Sequence, residues 1–131
     1  MKTYPVSNDL STPRGYSHVV TSSGGKTVFV AGQISLDKDG NIVGRGELRA
    51  QVTQVLQNVK AALAAGGATF ADVVKMNTYV VDLNPDMLAT IREVRGQFFA
   101  PENPPASTLV GVTALAMDGL LIEVEVVAVV D

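Results

Sequence analysis

The chain has 131 residues, 47% hydrophobic and 18% charged, with a net charge of −3, no cysteine and one histidine. This composition supports a folded core and excludes disulfides, thiolate nucleophiles, zinc–thiolate sites and iron–sulfur clusters. The ten Lys and Arg residues are scattered, which argues against binding to nucleic acid backbones and to anionic membrane surfaces.

By length, residues 1–131 are expected to form a single domain. Residues 1–14 hold prolines, Ser, Thr and Asn and read as an irregular lead-in. "GYSHVVTS", Gly15 to Ser22, is β-branched and aromatic and reads as a first strand. "SSGGK" supplies turn chemistry, and "TVFVAGQI", Thr27 to Ile34, follows as a second strand, so a hairpin is expected. Gly32 inside it marks a bulge or a close approach. From Glu47 the period changes to helical. Val52, Val55, Leu56, Val59 and Leu63 form one apolar stripe, ended by the glycines of "AAGGAT". "FADVVKMNTYVVDL", Phe70 to Leu83, contains a strand of about eight residues. Asn84 caps a second helix with Pro85 in its first position, continuing to Phe99. After the proline-rich "APENPPAS", strands follow at Ser107–Leu115 and Leu120–Val130.

The order β-β-α-β-α-β-β predicts an α+β two-layer domain with a mixed sheet and both helices on one face. The other sheet face then needs cover that one chain of this length cannot supply, so oligomerisation is expected. No apolar run reaches membrane-spanning length. The first residues show no apolar signal core, and a cytoplasmic location is expected.

The closing strand "LLIEVEVVAVVD" poses the chemical question. Ile122, Val124, Val126, Ala128 and Val130 share one face, and Leu121, Glu123, Glu125, Val127 and Val129 share the other. Two carboxylates in so apolar a strand are either solubilising edge charges or members of a site. His18 has Ser17, Ser22 and Ser23 close by, but no nucleophile-elbow pattern accompanies it. Arg92 and Arg95 lie one turn apart on the second helix, as a solvated face or an anion site. The glycines form neither GxGxxG nor a P-loop.

Several stretches, in order and spacing, resemble the Rid family of reactive intermediate deaminases, the YjgF/RidA-like proteins. They are "GYSHVV", "VFVAGQISLDKDGNIV", "QVTQVLQNVKAALAAGGATFADVVKMNTYVVDL", "FF" before the proline-rich loop, and "IEVEVVAV". The resemblance runs from about Gly15 to the C-terminus. It implies a chorismate mutase-like fold, a homotrimer with ligand clefts between subunits, a small-molecule ligand and no cofactor; with one histidine and no cysteine, no metal site is expected either. It also implies hydrolysis of enamines and imines to 2-keto acids and ammonia. Carried over by position, Tyr16, Gly32 and Glu123 match cleft residues, with Glu123 the catalytic carboxylate that activates water. Ala31 stands where the family has serine, and Arg92 falls near its helix asparagine. In "PPASTLVGV", Ser107 occupies the position of the arginine that anchors the substrate carboxylate. Such an anchor contributes roughly 1.5–3 kcal/mol, about one to two decades, so 2-imino acid deamination is expected to be weak or absent. Three alternatives remain: a binding or interaction module without chemistry, replacement of the lost charge by Arg92 or Arg95, and single-strand ribonuclease activity.

Overall fold

A computed structural model describes residues 1–131. Its elements are β1 (Lys2–Thr3), β2 (Thr21–Ser22), β3 (Lys26–Gln33), α1 (Leu48–Ala65), β4 (Val73–Val81), α2 (Pro85–Arg95), β5 (Ala106–Val112) and β6 (Ile122–Val130). The main sheet has the order β3-β6-β4-β5. Strand β6 is antiparallel to both neighbours, whereas β4 and β5 are parallel. A parallel pair requires a crossover, and α2 supplies it.

The expected helix stripe is the core of the molecule. Val52, Val55, Leu56, Val59 and Leu63 are all buried on α1. They cluster with Met76 and Val80 of β4, Ile122, Val124 and Val126 of β6, and Ile91 and Val94 of α2. Both helices therefore cover one sheet face. Asn84 accepts hydrogen bonds from the Asp86 and Met87 amides at 3.0 and 3.2 Å, with Pro85 leading the helix. These contacts satisfy two of the donors that a helix start leaves open. The helix ends at Arg95 rather than Phe99. Gly96 closes it, and the Phe98 and Phe99 amides both turn back to the Arg95 carbonyl.

Strand β6 alternates as its sequence predicts, with Ile122, Val124, Val126 and Ala128 buried and Glu123, Glu125 and Val127 on the opposite side. The alternation fails at its end, where Val129 is buried and Val130 only half-buried. The turn through Gly25 lies against the Val129 side chain there. On the side away from the helices, Phe29 is 78% exposed and Val110 41% exposed. This open face carries apolar surface as well as the polar side chains of Asn77, Tyr79, Glu123 and Glu125.

The expected strand over Gly15–Ser22 does not form, and neither does its hairpin with Thr27–Ile34. Only Thr21–Ser22 pairs, and its partner is β1, inside the segment expected to be irregular. Upstream, Gly15 adopts φ +76°. The Ser17 amide donates to the Pro105 carbonyl at 3.0 Å, and Ser17 makes an isolated parallel bridge to Ala106. β-branched composition marked the segment as extended, but its hydrogen bonds go to the edge of β5. The strand expected over Ser107–Leu115 starts at Ala106 and stops at Val112.

One buried polar residue ties the layers together. Gln51, fully buried on α1, donates through Nε2 to the carbonyls of Gly44 at 3.1 Å and Gly119 at 2.9 Å, and its Oε1 accepts from the Leu121 amide at 2.8 Å. Gln51→Leu would leave two backbone groups, the Gly119 carbonyl and the Leu121 amide, without partners, at roughly 1–3 kcal/mol each when buried, while the Gly44 carbonyl keeps its bond from the Glu47 amide. A loss of about 2 kcal/mol or more is expected in urea unfolding at unchanged m-value. A loss below about 1 kcal/mol would show that water replaces these bonds.

Candidate functional site

The closing strand and the bulge of β3 build the first half of the site together. Glu123 pairs with Tyr79 across β6 and β4, which places it on the open face. The β3–β6 register slips between Val30 and Gln33, and Gly32 lies in that slip. A Cβ at position 32 would collide with the Glu123 carboxylate. The backbone dihedral of Gly32 is not left-handed, so glycine is needed here for space: it lets the carboxylate lie against the β3 backbone.

Glu125, two residues on, has a different environment. Its carboxylate accepts from the Tyr79 hydroxyl at 2.6 Å and from Asn77 Nδ2 at 3.1 Å. The bond from Tyr79, and then that from Asn77, holds its carboxyl below the ordinary value of 4.5, while the same contact with Glu125 raises the Tyr79 phenol. A carboxyl lowered in the fold contributes stability that is whole above its unfolded value, about 4.3. That contribution is lost as pH falls through the lower, folded value. Thermal melts from about pH 6 down to about pH 3 should therefore decline less in Glu125→Gln than in the wild type. Equal declines would mean that solvent screens the contact.

The second half of the site is built on the helix side of the sheet. The parallel register pairs Ser107 with Met76. Met76 is core, and Leu109, two residues beyond Ser107, packs against the same cluster. Ser107 therefore faces α2, and the last residue of that helix meets it. Arg95 Nη1 lies 3.4 Å from Ser107 Oγ, and Nη2 donates to the Gly15 carbonyl at 3.0 Å. The guanidinium also lies 5.8 Å from the centroid of the Phe99 ring. Ion pairs form at Met1–Asp131, Lys2–Asp131 and Arg49–Glu93, so Arg95 has no carboxylate partner. Burial, and then the charge of Arg92, pull its pKa below the ordinary guanidinium value. It remains a cation, short of an anion.

Beside Arg95 the surface opens into a basin of about 560 Å³. Arg14 and Arg92 share its wall with Arg95 and Gly15, and the proline-rich loop closes it. Ser17 fixes this corner, its hydroxyl donating to the Pro104 carbonyl and its amide to that of Pro105. Tyr16 between them is half-buried, its ring 5.2 Å from that of His18 in an edge-on contact. His18 Nε2 lies 2.7 Å from the Ser11 carbonyl, so the histidine is engaged with backbone rather than with a serine hydroxyl.

Within one chain the sequence-predicted residues thus fall into two groups. Glu123 and Gly32 meet on the open face. Ser107 and Arg92 gather with Arg95 around α2 and the proline-rich loop, while Tyr16 follows Gly15 of that basin in the chain and turns its ring to His18. The two groups lie on opposite sides of the sheet. Arg14 was not singled out from the sequence; its position in "PRGY", next to Gly15 and Tyr16, was the available signal.

A family model described as Endoribonuclease L-PSP matches residues 6–130. The chain belongs to this family. Within it, a RutC family protein of Pyrococcus horikoshii is 40% identical over 114 residues, 86% of this chain and 85% of its own. The 2-iminobutanoate/2-iminopropanoate deaminase of Salmonella typhimurium is 37% identical over 107 residues, 80% of each chain. Among solved structures, the Rid family protein YyfB from Yersinia pestis aligns with a TM-score of 0.91 at 40% identity, covering 98% of both chains. The expected YjgF/RidA-like membership and α+β RidA fold are borne out. No helix of this endoribonuclease L-PSP family member is long and apolar enough to cross a membrane.

Proposed function

We propose that this chain is a homotrimer whose three intersubunit clefts bind a small carboxylate-bearing metabolite and hydrolyse its imine or enamine to a 2-keto acid and ammonia. The position of Arg95 carries this reading. Ser107 removed the family's anchoring charge, and a guanidinium from α2 lies beside the hydroxyl that replaced it. Of the alternatives in the sequence, replacement of the charge from the helix is the one this contact favours, with Arg95 rather than Arg92 as the anchor.

A trimer would also account for two features that a single chain leaves open. It would cover the apolar open face around Phe29 and Val110. It would also let the Glu123 carboxylate of one subunit meet the Arg95 corner of the next. In such a cleft the arginine fork fixes the substrate carboxylate and turns the C=N carbon toward water. Glu123 accepts a proton from that water as oxygen adds to the carbon. Glu123 passes that proton to the nitrogen to give a carbinolamine, and the carbinol O–H proton then moves to the nitrogen as the C=O bond forms, the C–N bond breaks and ammonia leaves. No cofactor is required.

The decisive experiment supplies imines from an amino acid dehydratase and follows 2-keto acid release, with mass by light scattering measured alongside. Acceleration over the uncatalysed rate by a trimer supports the reading. A trimer that binds 2-keto acids without accelerating hydrolysis would leave a binding module, which Ala31 in place of the family's serine would suit. A monomer would remove the cleft altogether. Ribonuclease activity is the weakest alternative. The arginines form a basin at one corner, and Phe29 is the only large aromatic ring strongly exposed on the sheet, whereas single-strand binding relies on cationic tracks with stacking platforms.

A further inference from the structure

Arg95 alone matches one carboxylate, yet Arg14 and Arg92 also line the basin beside it. None of the three takes part in an ion pair, although Arg49, on the same helical layer, does find Glu93 at 2.7 Å. No Asp or Glu lines the basin. Placing Arg92 and Arg95 in the last turn of α2 suits the helix dipole, but that does not explain Arg14, which arrives from the lead-in. Arg95 is also half-buried, with only a hydroxyl and a carbonyl to receive its protons. The charge of Arg92 acts on Arg95 and Arg14 adds a third cation to the same wall, with no counter-ion, so a ligand carrying negative charge would be drawn to this basin.

We propose that the ligand of this site carries two anionic groups: a carboxylate held at Arg95 and Ser107, and a second carboxylate or a phosphate-like group held by Arg14 and Arg92. The inference rests on the Arg95 anchor above and adds the substrate class. It selects acidic 2-imino acids over those with short apolar side chains. The basin wall supports this choice: beyond Phe99 it is lined by arginines, glycines and the proline-rich loop rather than by an apolar pocket. Planar guanidinium forks suit both carboxylate and phosphate oxygens.

Calorimetric titration at constant ionic strength tests the proposal with three probes: 2-oxobutanoate with one anionic group, 2-oxoglutarate with two carboxylates, and 3-phosphonopyruvate with a carboxylate and a phosphonate. The dianions should bind roughly tenfold or more tightly than 2-oxobutanoate, and whichever dianion is tighter identifies the second group. In the Arg14→Gln, Arg92→Gln double variant that ratio should fall toward one, while the Lys26→Gln, Arg45→Gln double variant, which removes the same two charges outside the basin, should preserve it. Equal affinities in the wild type, or a preference that survives the double variant, would overturn the proposal. The outcomes separate it from the hydrolysis reading. Dianion preference without imine hydrolysis would retain this inference and remove that reading. Hydrolysis without dianion preference would do the reverse.

Discussion

Glu123→Gln should lower imine hydrolysis by about 10²–10⁴-fold, the range a positioned general base contributes. The amide is nearly isosteric, so it should still fit against Gly32 and leave the assembly unchanged. What it loses is the capacity to take a proton from water. Ligand affinity should change much less than the rate, because the carboxylate anchor lies elsewhere. Two measurements check this: the rate of 2-keto acid release at saturating substrate, and the mass in solution. Wild-type activity in the variant would remove Glu123 from the mechanism. Loss of assembly would instead assign it a structural role. Glu125→Gln is the internal comparison, since its carboxylate is occupied by Tyr79 and Asn77 and its loss should leave hydrolysis largely intact.

The second large effect concerns the anchor. Arg95→Gln should lower kcat/KM by about one to two decades, the value of a charge-assisted contact to a substrate carboxylate. Simple loss of packing against Phe99 could mimic this result, so a transplant distinguishes the two. Adding Ser107→Arg to Arg95→Gln returns a guanidinium to the same corner from β5 instead of α2. The double variant should recover much of the lost activity. Failure to recover, in a protein with wild-type unfolding behaviour, would mean that position 95 matters for shape rather than charge. Ser107→Arg alone should not improve on the wild type, because two guanidinium groups would then compete for one carboxylate.

Much of the fold was legible because it depends on local periodicity. The five-residue stripe of α1, the Asn84–Pro85 cap and the alternation of β6 each follow from spacing along a single segment. Gly15–Ser22 misled because β-branched residues favour an extended chain without specifying a partner. Its partners turned out to be the proline-rich loop and β1, one far ahead in sequence and one behind. The candidate site divides along the same line. Gly32 and Glu123 were visible, one as a glycine within a strand and the other as a carboxylate among valines. That Ser107 and Glu123 lie on opposite sheet faces was not visible, because parity can be read within a strand but not between strands whose register is unknown. The meeting of Arg95 with Ser107 likewise depends on the α2 crossover and the β4–β5 register, both tertiary features.

The separation of Glu123 from the Arg95 corner by the sheet has a genetic consequence. If each cleft draws its base from one subunit and its anchor from the neighbour, then no polypeptide owns a complete site. Two inactive proteins, one carrying Glu123→Gln and the other Arg95→Gln, should complement when co-expressed. Random mixing around a closed ring would give about a quarter of the clefts both native groups. Loss-of-function alleles of this gene would then fall into two classes, each able to rescue the other, although the gene encodes only one chain.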